Sequence, residues 1–120
     1  MMPNKHYDCP IEAIVDVVGG KWKLPILYYL FQKTQRFGEL KRQIPGVTER
    51  MLALQLRELE QAGIVKRTVY AEVPPRVEYA LTALGLTLEP TLRTMLDWSE
   101  NYLRIKEQVD EQNLASILHS

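Results

Sequence analysis

The sequence predicts a mainly α-helical chain carrying one small β-hairpin, and three observations lead there. Apolar residues recur at helical spacing through four segments between Pro10 and Ala62. The period then becomes alternating over Ile64 to Tyr70 and again over Arg76 to Leu81. Helical spacing returns after Thr82 and continues toward the C-terminus.

Pro10 suits the first position of a helix, where its missing N–H costs nothing, with Cys9 or Asp8 as the cap. Ile11, Ile14, Val15 and Val18 follow at helical spacing, and Gly19-Gly20 closes the segment. A second helix is expected from about Lys21 to Gln32, with Trp22, Ile26, Tyr29 and Leu30 as its buried stripe and Pro25 tolerated in its first turn. Phe37, Leu40 and Ile44 predict a short third helix from about Arg36 to Gln43. After the Pro45-Gly46 turn, Thr48 caps a fourth helix that runs to about Ala62 and is stopped by Gly63. The two alternating segments are strands joined by Ala71-Glu72-Val73-Pro74-Pro75, and a hairpin this small must pack on the helices. Thr82 caps a long C-terminal helical arm, in which Pro90 produces a kink or a restart near Glu89. A short helix, a turn containing Gly and a second amphipathic helix make a helix-turn-helix. The basic hairpin behind it makes it winged, with helices left over at both ends for dimerisation.

At 120 residues and 13.9 kDa the chain has room for one domain of ordinary size. With 46% hydrophobic and 25% charged residues, it fits neither a disordered tail nor a fibre. The apolar stretch Leu24 to Phe31 falls far short of the ~20 residues that span a bilayer, so no membrane partner is expected. No apolar run of a secretory signal follows the first residues, and a single cysteine makes no intrachain disulfide. Both point to the reducing cytoplasm. Charge balances overall at 15 basic and 15 acidic residues, but unevenly along the chain. Residues 33–76 hold nine basic and five acidic side chains, whereas 81–120 hold three and six. A basic middle segment is the electrostatic footprint of a nucleic-acid partner.

On a 3.6-residue wheel the fourth helix separates into two sides. Leu52, Leu56 and Leu59 form the core stripe, and Arg50, Ala53, Leu54, Arg57 and Gln61 lie opposite. Arginine bonds guanine O6 and N7 or a phosphate, and Ala or Leu meets a thymine methyl, so this face suits a major groove. Thr48 and Glu49 sit at the N-terminal end, the end that faces base edges in such helices. Lys41 and Arg42 on the third helix are placed for phosphates. Lys66, Arg67 and Arg76, expected near the hairpin tip, suit a minor groove. Each set also reads as ordinary solvated charge, with Glu58 and Glu60 balancing the arginines; the order of elements favours DNA.

Nothing points to catalysis. The two histidines, His6 and His119, lie near opposite ends, and no Gly-rich phosphate loop is present. His6, Asp8 and Cys9 are too few and too near a terminus to make a metal site, so no metal or cofactor is expected. In the C-terminal arm Leu88, Met95, Tyr102 and Val109 recur every seven residues, with Trp98 and Ile105 between them. That seam calls for a second subunit.

Taken in order, a set of short stretches is specific to one family: Cys9-Pro10, Gly19-Gly20-Lys21-Trp22, Arg36-Phe37-Gly38-Glu39-Leu40, Ile44-Pro45-Gly46-Val47-Thr48, Arg50-Met51-Leu52, Leu56-Arg57-Glu58-Leu59-Glu60, Gly63-Ile64-Val65, Val73-Pro74-Pro75-Arg76-Val77-Glu78-Tyr79 and Leu81-Thr82-Ala83-Leu84-Gly85. The chain resembles the HxlR-type bacterial winged-helix transcriptional regulators, which are relatives of the MarR-like proteins. The resemblance implies an N-terminal extension over 1–8, a winged helix-turn-helix domain over 9–100 and a helical tail over 101–120. It also implies a cytoplasmic homodimer on a partly palindromic double-stranded operator, with the helix from Thr48 to Ala62 in the major groove and the wing at Pro74-Pro75-Arg76 in the flanking minor groove. Several such regulators sense electrophiles or oxidants through the cysteine of the Cys-Pro motif, here Cys9. Two other readings stay open: a regulator whose input is a small ligand, and a winged helix that binds protein instead of DNA.

Overall fold

The computed structural model describes residues 6–119. Six helices and three strands follow one another: α1 Ile11–Val18, α2 Lys23–Gln32, β1 Gln35–Arg36, α3 Phe37–Gln43, α4 Glu49–Gln61, β2 Val65–Tyr70, β3 Arg76–Leu81, α5 Ala83–Leu86 and α6 Glu89–His119. The strands form an antiparallel sheet in the order β1-β3-β2. Two compact units result, one ending at Thr87 and one starting at Leu88.

The core of the first unit is built from the helix-turn-helix. Leu52, Leu56 and Leu59 of α4 are fully buried, as are Ile26 and Leu27 of α2 and Leu40 of α3. Ile44 and Val47, on either side of the Pro45-Gly46 turn, are buried with them. Gly46 takes φ +83°, the left-handed backbone that lets the chain reverse there. Thr48 then opens α4 as expected: its Oγ1 accepts the Met51 N–H at 3.1 Å. Such a cap contributes ~1 kcal/mol.

Several details differ from the sequence reading. Pro10 precedes α1 in the capping position, and no side chain caps that helix. Instead the Cys9 carbonyl accepts the Glu12 N–H at 3.0 Å. Helix α2 starts two residues later than expected, and its fully buried side is Ile26, Leu27 and Leu30; Trp22 and Tyr29 are only half-buried.

Strand β1 was not anticipated, because two residues carry no period. It pairs Gln35 with Tyr79 and Arg36 with Glu78. Gln35 is buried, and its amide is satisfied on both sides: Nε2 donates to the Tyr29 carbonyl at 2.6 Å, and Oε1 accepts from Gln43 Nε2. Gln43 Nε2 also lies 3.0 Å from the Glu39 carbonyl. These amides tie the end of α2, β1 and α3 together, and a buried amide is tolerated only when paired in this way.

Thr82 caps the short α5, not the long arm. Its Oγ1 accepts the Gly85 N–H at 2.9 Å and donates to the Gly63 carbonyl at 2.6 Å, while its own N–H reaches the Ile64 carbonyl at 3.0 Å. Helix α5 is thereby stitched to the turn between α4 and β2. Helix α6 restarts at Glu89 with Pro90 in its first turn and continues unbroken to His119.

Gly85 tests this junction. In an exposed helix Gly→Ala stabilises by about 1 kcal/mol. Here a Cβ would lie 2.2 Å from the Ile64 carbonyl oxygen, a backbone atom. Gly85→Ala is therefore expected to destabilise by ~1–3 kcal/mol, measured by urea unfolding; unchanged or increased stability contradicts the close docking of α5.

Candidate nucleic-acid interface

The leucine stripe that roots α4 in the core decides which side of the helix faces out. Arg50, Leu54, Arg57 and Gln61 recur at spacings of four, three and four, and all four are exposed. Ala53, beside them, is half-buried. Leu54 keeps 41% of its surface in water, so its side chain is accessible on this face. Glu58 does not balance these arginines. Its Oε2 lies 2.8 Å from Lys23 Nζ, a lysine side chain only 12% exposed, so the carboxylate is turned toward α2. Arg50 and Arg57 have no hydrogen-bond or ion-pair partner among the described residues.

The neighbouring cations are equally uncommitted. Lys41 and Arg42 lie in the last turn of α3. Lys66 and Arg67 are exposed on β2. None of the four has an ion-pair partner among the described residues. Lys66 and Arg67 are not near the hairpin tip, however. Their register partners are Ala80 and Tyr79, at the base of the hairpin. At about 3.3 Å per residue Lys66 lies roughly 13 Å below Tyr70.

Arg76 is at the tip, paired in register with Tyr70, and it is heavily engaged. Its guanidinium carbon stands 4.1 Å over the Tyr70 ring. Its Nη2 is 3.3 Å from Glu72 Oε1, and its Nε is 3.5 Å from Glu78 Oε1. The sequence offers Arg76 to a minor groove and gives no sign of Tyr70 and Glu78 as its surroundings. Strand register gives the Tyr70 contact, and the four-residue spacing of Glu72 and Arg76 was the available signal for the first ion pair.

The N-terminal end of α3 is held by charge. Glu39 Oε1 accepts the Arg36 N–H at 2.9 Å, and its Oε2 lies 3.4 Å from Lys33 Nζ. The backbone hydrogen bond, helped by Lys33, holds the Glu39 carboxyl below its ordinary pKa.

Elsewhere, Cys9 is exposed. His6 Nε2 lies 3.8 Å from Asp8 Oδ1, and among the described residues no group of three or more His, Cys, Asp or Glu side chains is placed to hold a metal ion. On α6, Met95, Trp98, Tyr102, Ile105 and Val109 are exposed, and Leu88, just before the helix, is half-buried. The Trp98 and Tyr102 rings stack at 5.1 Å with planes 10° apart. Leu96, Leu103, Leu114, Ile117 and Leu118, also exposed, extend the apolar surface beyond the seven-residue seam. No described helix is long and apolar enough to cross a membrane.

Residues 17–107 match the HxlR-like helix-turn-helix family. The chain belongs to that family, whose members are transcriptional regulators. YdeP of Bacillus subtilis, an HTH-type transcriptional regulator, is 49% identical over 89% of this chain and 81% of its own length. The redox regulator HypR in its reduced form superposes with a TM-score of 0.79 at 49% identity, covering 83% of this chain and 99% of HypR. Diamide-treated YodB from B. subtilis gives 0.67 at 36% identity, covering 81% and 97%. The winged helix-turn-helix inferred from turn chemistry and period is thus the architecture of known regulators.

The Glu39 cap gives this helix-turn-helix a pH signature. A carboxyl whose pKa is lowered by folding stabilises the fold above its unfolded pKa, and that stabilisation is lost as pH falls through the lowered native value. The stability advantage of wild type over Glu39→Ala should be full near neutrality and shrink in acid, below the ordinary carboxylate range. Urea unfolding of both proteins across that range checks this; a pH-independent difference contradicts the cap.

Proposed function

We propose that the protein is a sequence-specific, homodimeric DNA-binding transcriptional regulator of the cytoplasm, not an enzyme. The observation that carries this reading is the outward face of α4: two unpaired arginines and an exposed leucine beside a Thr-capped helix N-terminus. Thr48 and Glu49 at the helix start, with Arg50, Ala53, Leu54 and Arg57, would face base edges. Lys41, Arg42, Lys66 and Arg67 would meet phosphates that set register and carry no sequence information. A module for protein partners would present an acidic or broadly apolar face here, and this one is cationic. Arg50→Ala and Arg57→Ala should each weaken specific binding by ~1–3 kcal/mol. Anisotropy titrations against DNA from the region upstream of the chain's own gene check this, and unchanged affinity in both variants contradicts the assignment.

Dimerisation supplies the second recognition helix. The seam Leu88, Met95, Trp98, Tyr102, Ile105 and Val109 on α6 supports a partner copy, as do the exposed Ile11 and Val15 of α1. A two-fold dimer fits half-sites about 10 bp apart or a small multiple of that. Placing charges in the seam, as Met95→Asp with Ile105→Asp, should convert a dimer to a monomer in analytical ultracentrifugation. A dimer that persists in this variant places the interface elsewhere.

A redox input through Cys9 is a second component of the proposal. It is supported by the exposure of Cys9 and by the redox regulator HypR among the structural relatives. With one cysteine per chain, oxidation ends in a disulfide between subunits or in a mixed disulfide with a small thiol. The first requires the two Cys9 Cα atoms to come within about 7 Å. Diamide treatment should change DNA affinity in wild type and leave Cys9→Ser unaffected. Equal responses of the two proteins assign the input to a bound ligand instead.

A further inference from the structure

Resting on the DNA-binding reading above, we propose that Glu72 is an internal competitor for DNA at the wing: it holds the edge of the Arg76 guanidinium in the free protein and yields it to a backbone phosphate in the complex. The three partners of Arg76 differ in how firmly they are placed. Tyr70 is its register partner across the hairpin, so the 4.1 Å stack is fixed by strand pairing. Glu78 lies within β3, opposite Thr68 on one side and Arg36 on the other, so the sheet fixes its backbone, and its carboxylate stands at an ion-pair distance of 3.5 Å from Nε without a hydrogen bond. Glu72 belongs to the exposed connection between the strands, its side chain is half-exposed, and it engages Nη2. An exposed ion pair of this kind is weak. A phosphate offers the same edge of the guanidinium a stronger charge-assisted contact. Exchange at Nη2 therefore leaves the Tyr70 stack and the Glu78 contact in place, and the guanidinium stays oriented while its partner changes.

Local charge makes the exchange necessary. Residues 70–78 contain Arg76 as their only cation, together with Glu72 and Glu78, a net charge of −1. Val73, Pro74 and Pro75, exposed beside them, add none. In the free state the guanidinium charge is thus already answered by carboxylates, in contrast to the cations of α3, α4 and the hairpin base, which have no ion-pair partner among the described residues. Glu72 therefore lowers the affinity of the wing for any sequence and leaves base discrimination to α4.

The test uses the full chain and a duplex selected by the wild-type protein from a random-sequence pool. Binding is compared for wild type, Glu72→Gln, Arg76→Ala and the double variant across a salt series, with thermal unfolding confirming that each is folded. Glu72→Gln should bind about two- to fivefold more tightly, the range of one released exposed ion pair. Arg76→Ala should bind more weakly, with a salt slope smaller by about one per protomer. The double variant should match Arg76→Ala, the gain from Glu72→Gln having vanished. A gain that persists without Arg76 overturns the exchange, because it reports only a removed negative charge, and so does wild-type affinity in Glu72→Gln. Failure of the wild-type protein to select any duplex overturns the DNA-binding reading, and this proposal with it, and is told apart from the other outcomes by that first step.

Discussion

The burial of Leu52, Leu56 and Leu59 is the constraint on which the rest depends. Three leucines at spacings of four and three define one side of α4, and all three are sealed from water. Rotating α4 by half a turn would expose that stripe and bury Arg50 and Arg57, and uncompensated buried charge is far more costly than the apolar area is worth. The exposure of Arg50 and Arg57 is therefore a consequence of the core. The Lys23–Glu58 pair fixes the same rotation from the polar side, since it holds a carboxylate of α4 toward α2.

Charge in the first unit is arranged by commitment as much as by number. Lysines and arginines of α3, α4 and the hairpin base stand free, whereas Lys23, Lys33 and Arg76 are held by Glu58, Glu39 and the Glu72/Glu78 pair. The overall balance of 15 and 15 conceals this. Some acidic residues serve structure, as Glu39 does in closing the first turn of α3. In the proposed function the uncommitted cations would steer a polyanion at long range while the helix face would select at contact.

The helices that bear the site were legible in the sequence because they carry strong local signals. The stripe and cap of α4, the limits of β2 and β3, and the restart of α6 at Glu89 all follow from period, a capping hydroxyl and proline placement. What escaped the sequence depends on contacts between distant residues. Strand β1 exists through pairing with Tyr79 and Glu78 and through the amides of Gln35 and Gln43, which no periodicity records. Thr82 announced a helix correctly but not that α5 ends at Leu86, because Gly85 and the Ile64 carbonyl meet only in the folded chain. The helical wheel sets Arg50 and Arg57 opposite the leucine stripe of α4, and both are exposed there. Lys66 and Arg67 were placed too near the tip, since proximity in sequence overlooks the length of a strand. The cage around Arg76 needed the hairpin register.

In the function we propose, α4 enters the major groove twice, once from each protomer. Dimethyl sulfate protection on a duplex selected by the protein tests it most directly, because the reagent methylates guanine N7, which lies in the major groove and is the acceptor an arginine takes. The account predicts two symmetric clusters of protected guanine N7 atoms, about 10 bp apart or a small multiple of that, on one face of the duplex. Bound DNA whose guanine N7 atoms all stay reactive, or a single protected cluster, would contradict it.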